Sequence, residues 1–338
     1  MSINLPELES TELAVAAAPG GRRHSRIPGM DAMRATSGFQ RGMLVAGIVI
    51  VLFFAVIAIF APLLAPYGFN DASANGKFFI RLSPPSAQHW FGVASGGEDV
   101  LSQVIYGART ALEVIILAVV LSIVVGVPLG LVSGYLGGWL DRVLVLITDS
   151  LFAFPSLLLA IIVSISINHG QNTQGGGILS AAISITVVYV PQYFRVVRNA
   201  TVAAREEPYV EAARAIGAPP RVLMTRYLFG NVVQSVPVIA TLNAGDAILT
   251  LAGLGFLGYG IEPSAGAEWG YELSKAVSDA GNGQWWTSLY PGLAIVLIVV
   301  GVTLVGESLN DVLNPLLRTA KVTDVELPAL EAGSYRER

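Results

Sequence analysis

The chain has 338 residues, 53% of them hydrophobic and only 13% charged, with a net charge of −4 and a mean hydropathy of +0.63. Soluble domains carry about 25% charged residues, so charge is depleted by roughly half. The net charge leaves no global nucleic-acid footprint, and the absence of cysteine excludes disulfides, iron–sulfur clusters and thiol catalysis. His24, His89 and His169 lack metal-ligand spacing and read as polar loop residues, so no metal site is expected.

Apolar runs long enough to cross a bilayer, at about 20 residues per helix, recur along the chain. Short alternating segments of the barrel kind are absent. The expectation is an all-α polytopic membrane protein. Residues 1–40 are polar, with Arg22, Arg23, Arg26, Arg34 and Arg41 before the first apolar run. A secretory signal peptide would place its apolar core nearer the start. Residues 1–40 therefore read as a largely disordered cytoplasmic tail, and the first span as uncleaved.

Six transmembrane helices follow, within residues 41–318. They run roughly Met43–Leu64, Leu112–Tyr135, Val143–Ile167 with Pro155 inside, Ile178–Val197 with Pro191 near its end, Val232–Tyr259 and Leu289–Leu309. Two polar stretches interrupt them, 65–110 and 260–288. The short segment His169–Gly177 carries no acid and no lysine or arginine. Residues 319–338 read as a C-terminal tail.

Lysine and arginine accumulate in cytoplasmic loops. The loop at about 198–231 and its flanks carry Arg195, Arg198, Arg205, Arg214, Arg221 and Arg226. The 260–288 stretch has one base, Lys275, against Glu262, Glu268, Glu272 and Asp279. Both termini and the arginine-rich loop are expected inside, the two polar stretches outside. Trp269, Trp285 and Trp286 suit the outer interface as amphipathic anchors.

Gly126, Gly130, Gly134 and Gly138 recur in steps of four and fall on one helix face. Close backbone approach is a main source of packing energy between helices in lipid. The seam lies either within this chain or against a partner chain. Arg109 and Glu113, four apart, read as a helix pair. Asp246 falls near the middle of the fifth span, where a charge costs about 2.5–3.5 kcal/mol. It either lines a pathway and meets a cationic group, or hydrogen-bonds within the bundle.

Within the arginine-rich loop, Pro208 suits a first helical position and Gly217 a stop, predicting a helix over Tyr209–Ile216. Tyr209, Ala212, Ala213 and Ile216 have the spacing of one face. Small alanines there allow another surface to come close, so the stretch reads as a docking helix.

Glu211, Ala212, Ala213 and Gly217 resemble the EAA loop of ABC importer permeases, although Phe229-Gly230-Asn231 stands where Leu-Pro-Asn is usual. Phe91-Gly92, Asp99–Ser102 and Ile105–Arg109 are similar to the family's signature before the second span, with Val93–Glu98 departing from it. Phe256–Gly260, Pro263 and Glu268-Trp269-Gly270 resemble the signature around the fifth span. Trp285-Trp286, Pro291–Leu293, Leu313-Asn314-Pro315 and Arg318 resemble that of the last. Together they resemble the second, C-type permease subunit of dipeptide, oligopeptide and nickel ABC importers.

The resemblance implies a type I permease fold that forms half of a translocation pathway. The implied partners are a homologous second permease subunit, two ATP-binding subunits or one fused ATPase, and an extracytoplasmic substrate-binding protein. It implies location in the plasma (inner) membrane of a prokaryote. ATP and Mg would be bound by the ATPase partners, since no Gly-x-x-x-x-Gly-Lys-Ser/Thr loop occurs here and this chain is expected to hold no cofactor and no catalytic residue. Tyr209, Glu211, Ala212, Ala213, Ile216 and Gly217 would couple to the ATPase, with Glu211 facing its polar or basic groups.

Two other classes compete. A stand-alone gradient-driven transporter would show an internal repeat with matched broken helices and a mid-membrane acid, for which only Asp246 qualifies. A membrane enzyme would show clustered His, Asp, Glu or Ser at the membrane edge, and no such constellation occurs.

Overall fold

The computed structural model describes residues 38–168 and 177–313. Five helices there are long and apolar enough to cross a membrane: Arg41–Ile59, Val100–Leu136, Gly177–Ala204, Pro220–Phe256 and Trp286–Asn310. A sixth span is built from two helices, Gly138–Phe152 and Ser156–Asn168. The only sheet among the described residues is a two-stranded hairpin pairing Ser73–Ala74 with Lys77–Phe78. The molecule is an all-α polytopic membrane protein.

The helix bounds depart from the apolar runs where polar contacts extend or break them. The second span starts at Val100, a dozen residues before the apolar run. Asp99 caps it, accepting 2.8 Å hydrogen bonds from the Ser102 N–H and hydroxyl. Tyr67, Phe69 and Trp269 hydrogen-bond to these early turns at Ser102, Gln103 and Val104, which is why the helix outlasts its hydropathy.

The third span is not the single helix that Val143–Ile167 predicts. Its two pieces meet at a 101° bend across Ala153–Pro155. Proline has no N–H to donate and its ring crowds the preceding turn, so the helix ends before it. Pro191 and Pro291, by contrast, sit inside continuous helices. The fifth span begins at Pro220 and passes through a π-helical turn, Leu223–Leu228, before Val236–Phe256.

The stretch 260–288 holds a helix that hydropathy does not announce, Trp269–Gly281. Glu268 caps it, accepting from the N–H groups of Gly270 and Tyr271 at 2.8 Å each. Two of the three tryptophans expected at the interface are core residues instead. Trp269 and Trp286 are buried, and their indole N–H groups donate to the carbonyls of Val104 (3.1 Å) and Val93 (3.3 Å). A buried indole seeks one acceptor, and these two pin Trp269 and Trp286 to the segment 93–104. Trp285 remains exposed.

His89 is likewise more than a polar loop residue. It is buried, with Nδ1 2.8 Å from Asp99 Oδ1, and forms a three-ring cluster with Tyr67 and Phe79. Arg109 and Glu113 form the expected pair at 2.9 Å on an exposed face.

The seam of small residues closes within the chain. A Cβ at Gly126 would stand 2.7 Å from Tyr193 Cβ, at Gly130 2.6 Å from the Phe194 carbonyl, and at Gly134 2.7 Å from the Arg198 carbonyl. The contacts climb both helices together, so the second and fourth spans run in the same direction. Gly138 is not part of this seam. The helix ends at Leu136, Gly137 and Gly138 have φ of +62° and +66°, and a Cβ at Gly138 would meet nothing within 4 Å. Its role is the left-handed turn that starts the third span.

His24, the segment 169–176, Pro315, Arg318 and both tails, 1–37 and 314–338, lie outside the described residues.

Candidate functional site

Two features of the bundle are candidates for a functional site: a short helix, Pro208–Ala215, and a polar cavity beside Asp246.

The short helix is Pro208–Ala215, with Pro208 at its first turn. Val210 and Ala213 are buried and join the main apolar cluster with Leu223 and Leu228. These two anchors, three residues apart, fix the helix against the start of the fifth span. The Tyr209 hydroxyl accepts a 2.9 Å hydrogen bond from Asn231 Nδ2, tying both ends of the loop together.

Glu211, Ala212 and Arg214 are exposed, and Ile216, just past the helix, is 82% exposed. Tyr209 is partly exposed. Ala213 therefore does not share the outward face with Tyr209, Ala212 and Ile216. Helical spacing places these four residues in one stripe. Only the packing of Val210 shows that the stripe's edge at Ala213 turns inward. Gly217 ends the helix at φ +85°, while the Ala218 N–H reaches the Ala213 carbonyl at 3.1 Å. A Cβ at Gly217 would meet nothing within 4 Å, so the backbone conformation, not space, calls for glycine.

A set of ion pairs joins the fourth span to the first helix of the third, Gly138–Phe152. Arg198 holds Asp141 with both carboxylate oxygens, Nε–Oδ1 at 2.5 Å and Nη2–Oδ2 at 2.7 Å. Ser133 adds a 2.6 Å bond to the same carboxylate. Arg195 reaches Asp149 at 3.0 Å and covers the Phe152 ring at 4.2 Å. Thr148 is the only residue fully buried in Gly138–Phe152, so polar contacts do much of the work of holding this helix.

Asp246 lies on the fifth span in an exposed stripe with Leu242 and Leu249. Its side chain borders a cavity of about 380 Å³, whose polar wall also holds Tyr189, Gln192 and Thr250. Phe152 and Phe154, at the break in the third span, line the same cavity. Thr250 Oγ1 donates to the Asp246 carbonyl at 2.9 Å and lies 3.4 Å from the Tyr189 hydroxyl. Among the described residues, the Asp246 carboxylate has no ion pair and no side-chain hydrogen bond. The sequence pointed to Asp246 but not to its neighbours. Tyr189, Gln192, Phe152 and Phe154 come from two other spans, and the one available signal was Pro155.

Lys275 stands between Glu272 (3.0 Å) and Glu98 (3.8 Å), joining the helix Trp269–Gly281 to the turn before the second span. Burial pushes Glu268 up to about 7, against its two backbone N–H bonds. Burial also raises Glu272, although Lys275 pulls the other way. No cluster of metal-ligating residues occurs among the described residues.

Residues 126–319 match the family described as binding-protein-dependent transport system inner membrane component. Residues 39–85 match the N-terminal TM domain of oligopeptide transport permease C. The chain is 36% identical over 276 residues to a dipeptide transport system permease protein of Alkalihalophilus pseudofirmus, covering 81% of this chain and 86% of that one. It is 37% identical over 279 residues to a glutathione transport system permease protein of Shigella flexneri, covering 82% and 88%. The chain belongs to the family of binding-protein-dependent transport system inner membrane components, the permeases of ABC importers.

Proposed function

We propose that this permease is one of two homologous but different transmembrane subunits of an ATP-driven importer for di- or oligopeptides. Residues 41–318 form the transmembrane unit, with tails 1–40 and 319–338 and the 198–231 loop in the cytoplasm of a prokaryotic cell. ATP and Mg belong to two ATP-binding subunits, or one fused ATPase. An extracytoplasmic binding protein delivers the cargo. Asp246 lines the pathway. Peptide cargo is favoured by the relatives, whose names specify dipeptide and glutathione transport. Membership of this family speaks against a stand-alone gradient-driven transporter.

The observation that carries the coupling role is the seating of Pro208–Ala215. Val210 and Ala213 lock one face, while Glu211, Ala212 and Ile216 stand free on the other. A helix that is rigid on its own chain and open outward can pass the closure of an ATPase into the fourth and fifth spans that it joins. Glu211 meets basic or polar groups of that ATPase, and Gly217 gives the sharp exit.

The sequence contains no cysteine, so Ile216→Cys creates a unique thiol. A short thiol–amine cross-linker applied to native membranes should join it to an ATP-binding subunit and stop ATP-driven uptake. A chain that purifies alone under several detergents, with no adduct, would sink the reading.

A further inference from the structure

We infer that the cavity beside Asp246 is a recognition site within the permease for a small solute carrying a protonated amine next to an apolar group. This rests on the reading of Asp246 as a pathway residue. A carboxylate on a membrane span is costly and ordinarily meets a partner or a cavity. Here it borders a cavity of about 380 Å³ and, among the described residues, has no cation beside it. That volume lies at the low end of small-molecule sites, at about 300–1,000 Å³.

The lining offers two kinds of contact. Asp246, Thr250, Tyr189 and Gln192 bring polar groups to it. Their oxygens are acceptors for an ammonium group, which has three donors and no acceptor. Phe152 and Phe154 bring aromatic side chains to the same cavity. Those rings flank the break at Ala153–Pro155, where the chain leaves helical geometry. Non-helical backbone at membrane depth is tolerated where it is packed in protein or lines a water-filled cavity. The break therefore fits a solute-filled space for the same reason that the carboxylate does. A neutral or anionic solute would leave Asp246 unmatched.

The test uses the complete importer in nanodiscs, with its second permease and ATP-binding subunits but without the binding protein. Saturation-transfer NMR compares alanyl-phenylalanine with its N-acetyl form. The free amine should bind at least about tenfold more tightly, the worth of one charge-assisted hydrogen bond. Asp246→Asn should bring the free peptide down to the acetylated one, and Asp246→Glu should keep most of the difference. Equal binding of both peptides by the unaltered importer overturns the inference, as does an Asp246→Asn variant that still prefers the free amine. An Asp246→Asn complex that falls apart overturns it as well, because the acid would then be matched by a cation of the second permease. Gln192→Leu, on a different helix facing the same cavity, should weaken the free peptide and leave the acetylated one unchanged; equal effects on both count against the site. A complex that assembles and hydrolyses ATP yet binds neither peptide removes this inference and leaves the importer reading intact. Failure to form any complex with ATP-binding subunits removes both.

Discussion

The carboxylate of Glu268 occupies the space that a side chain at Gly255 would take. A Cβ there would stand 1.5 Å from Glu268 Oε2. The helix Trp269–Gly281 is thus seated on the fifth span by an acid capping the one and a missing side chain in the other. Gly255→Ala should expel Glu268 and cost about 1–3 kcal/mol, the usual range for overpacking. Thermal melting in mild detergent checks this, and an unchanged midpoint would show that Glu268 moves aside freely.

Glu268 also gives the protein a pH dependence whose sign is opposite to that of a salt-bridged acid. Its ordinary value is 4.5 and burial raises it to about 7. Below 4.5 both folded and unfolded states hold the proton. Between 4.5 and about 7 only the folded state does, so stability falls as pH rises, by up to about 3 kcal/mol in all. Glu272 is raised by burial too, and its contribution has the same sign. Melting at pH 5 and pH 8 should show lower stability at pH 8, and Glu268→Gln should shrink the difference. A variant with the full difference would assign the effect elsewhere.

Gly130 and Gly138 should respond to alanine for different reasons. At Gly130 the methyl group meets the Phe194 carbonyl at 2.6 Å and the Arg198 nitrogen at 3.0 Å, both backbone atoms that cannot step aside. The second and fourth spans must separate, at about 1–3 kcal/mol. At Gly138 the space is open but φ is +66°, which costs an L-residue about 1–2 kcal/mol. A disulfide between cysteines introduced along the two spans would report the separation, lost with Gly130→Ala and retained with Gly138→Ala.

Gly217 and Gly230 should give opposite signs. Neither added Cβ meets an atom within 4 Å. Gly217 has φ +85°, so Gly217→Ala destabilises by about 1–2 kcal/mol. Gly230 lies in helical backbone between Phe229 and Val232, so Gly230→Ala stabilises by up to about 1 kcal/mol. Denaturation midpoints of the two variants should move apart, and a common direction would count against this account of the loop.

Arg198 and Arg109 test the weight of burial on an ion pair. Arg198 grips Asp141 through two bonds, with side-chain exposures of 27% and 17%, whereas Arg109 and Glu113 stand 46% and 45% exposed. Arg198→Ala leaves a largely covered carboxylate with Ser133 as its remaining side-chain partner, at about 1–3 kcal/mol. Arg109→Ala should cost no more than a few tenths of a kcal/mol. Melting of the two single variants should separate them clearly.

Length and hydropathy alone placed most of the membrane crossings, because a bilayer demands about 20 apolar residues wherever a helix crosses it. The helix Pro208–Ala215 was equally legible, since Pro208 and Gly217 act through their own backbone dihedrals and need no neighbours. What hydropathy could not contain were the contacts between distant segments. The early start of the second span depends on Asp99 and on the segments that cover it. The burial of Trp269 and Trp286 depends on carbonyls at Val104 and Val93, more than 160 residues away. The inward turn of Ala213 depends on what Val210 meets. The bend of 101° needed Pro155 but was not specified by it, since Pro191 and Pro291 leave their helices continuous. A proline inside a helix removes one hydrogen bond; whether the helix then breaks is settled by what the surrounding spans offer the freed backbone, and that is a property of the packed bundle alone.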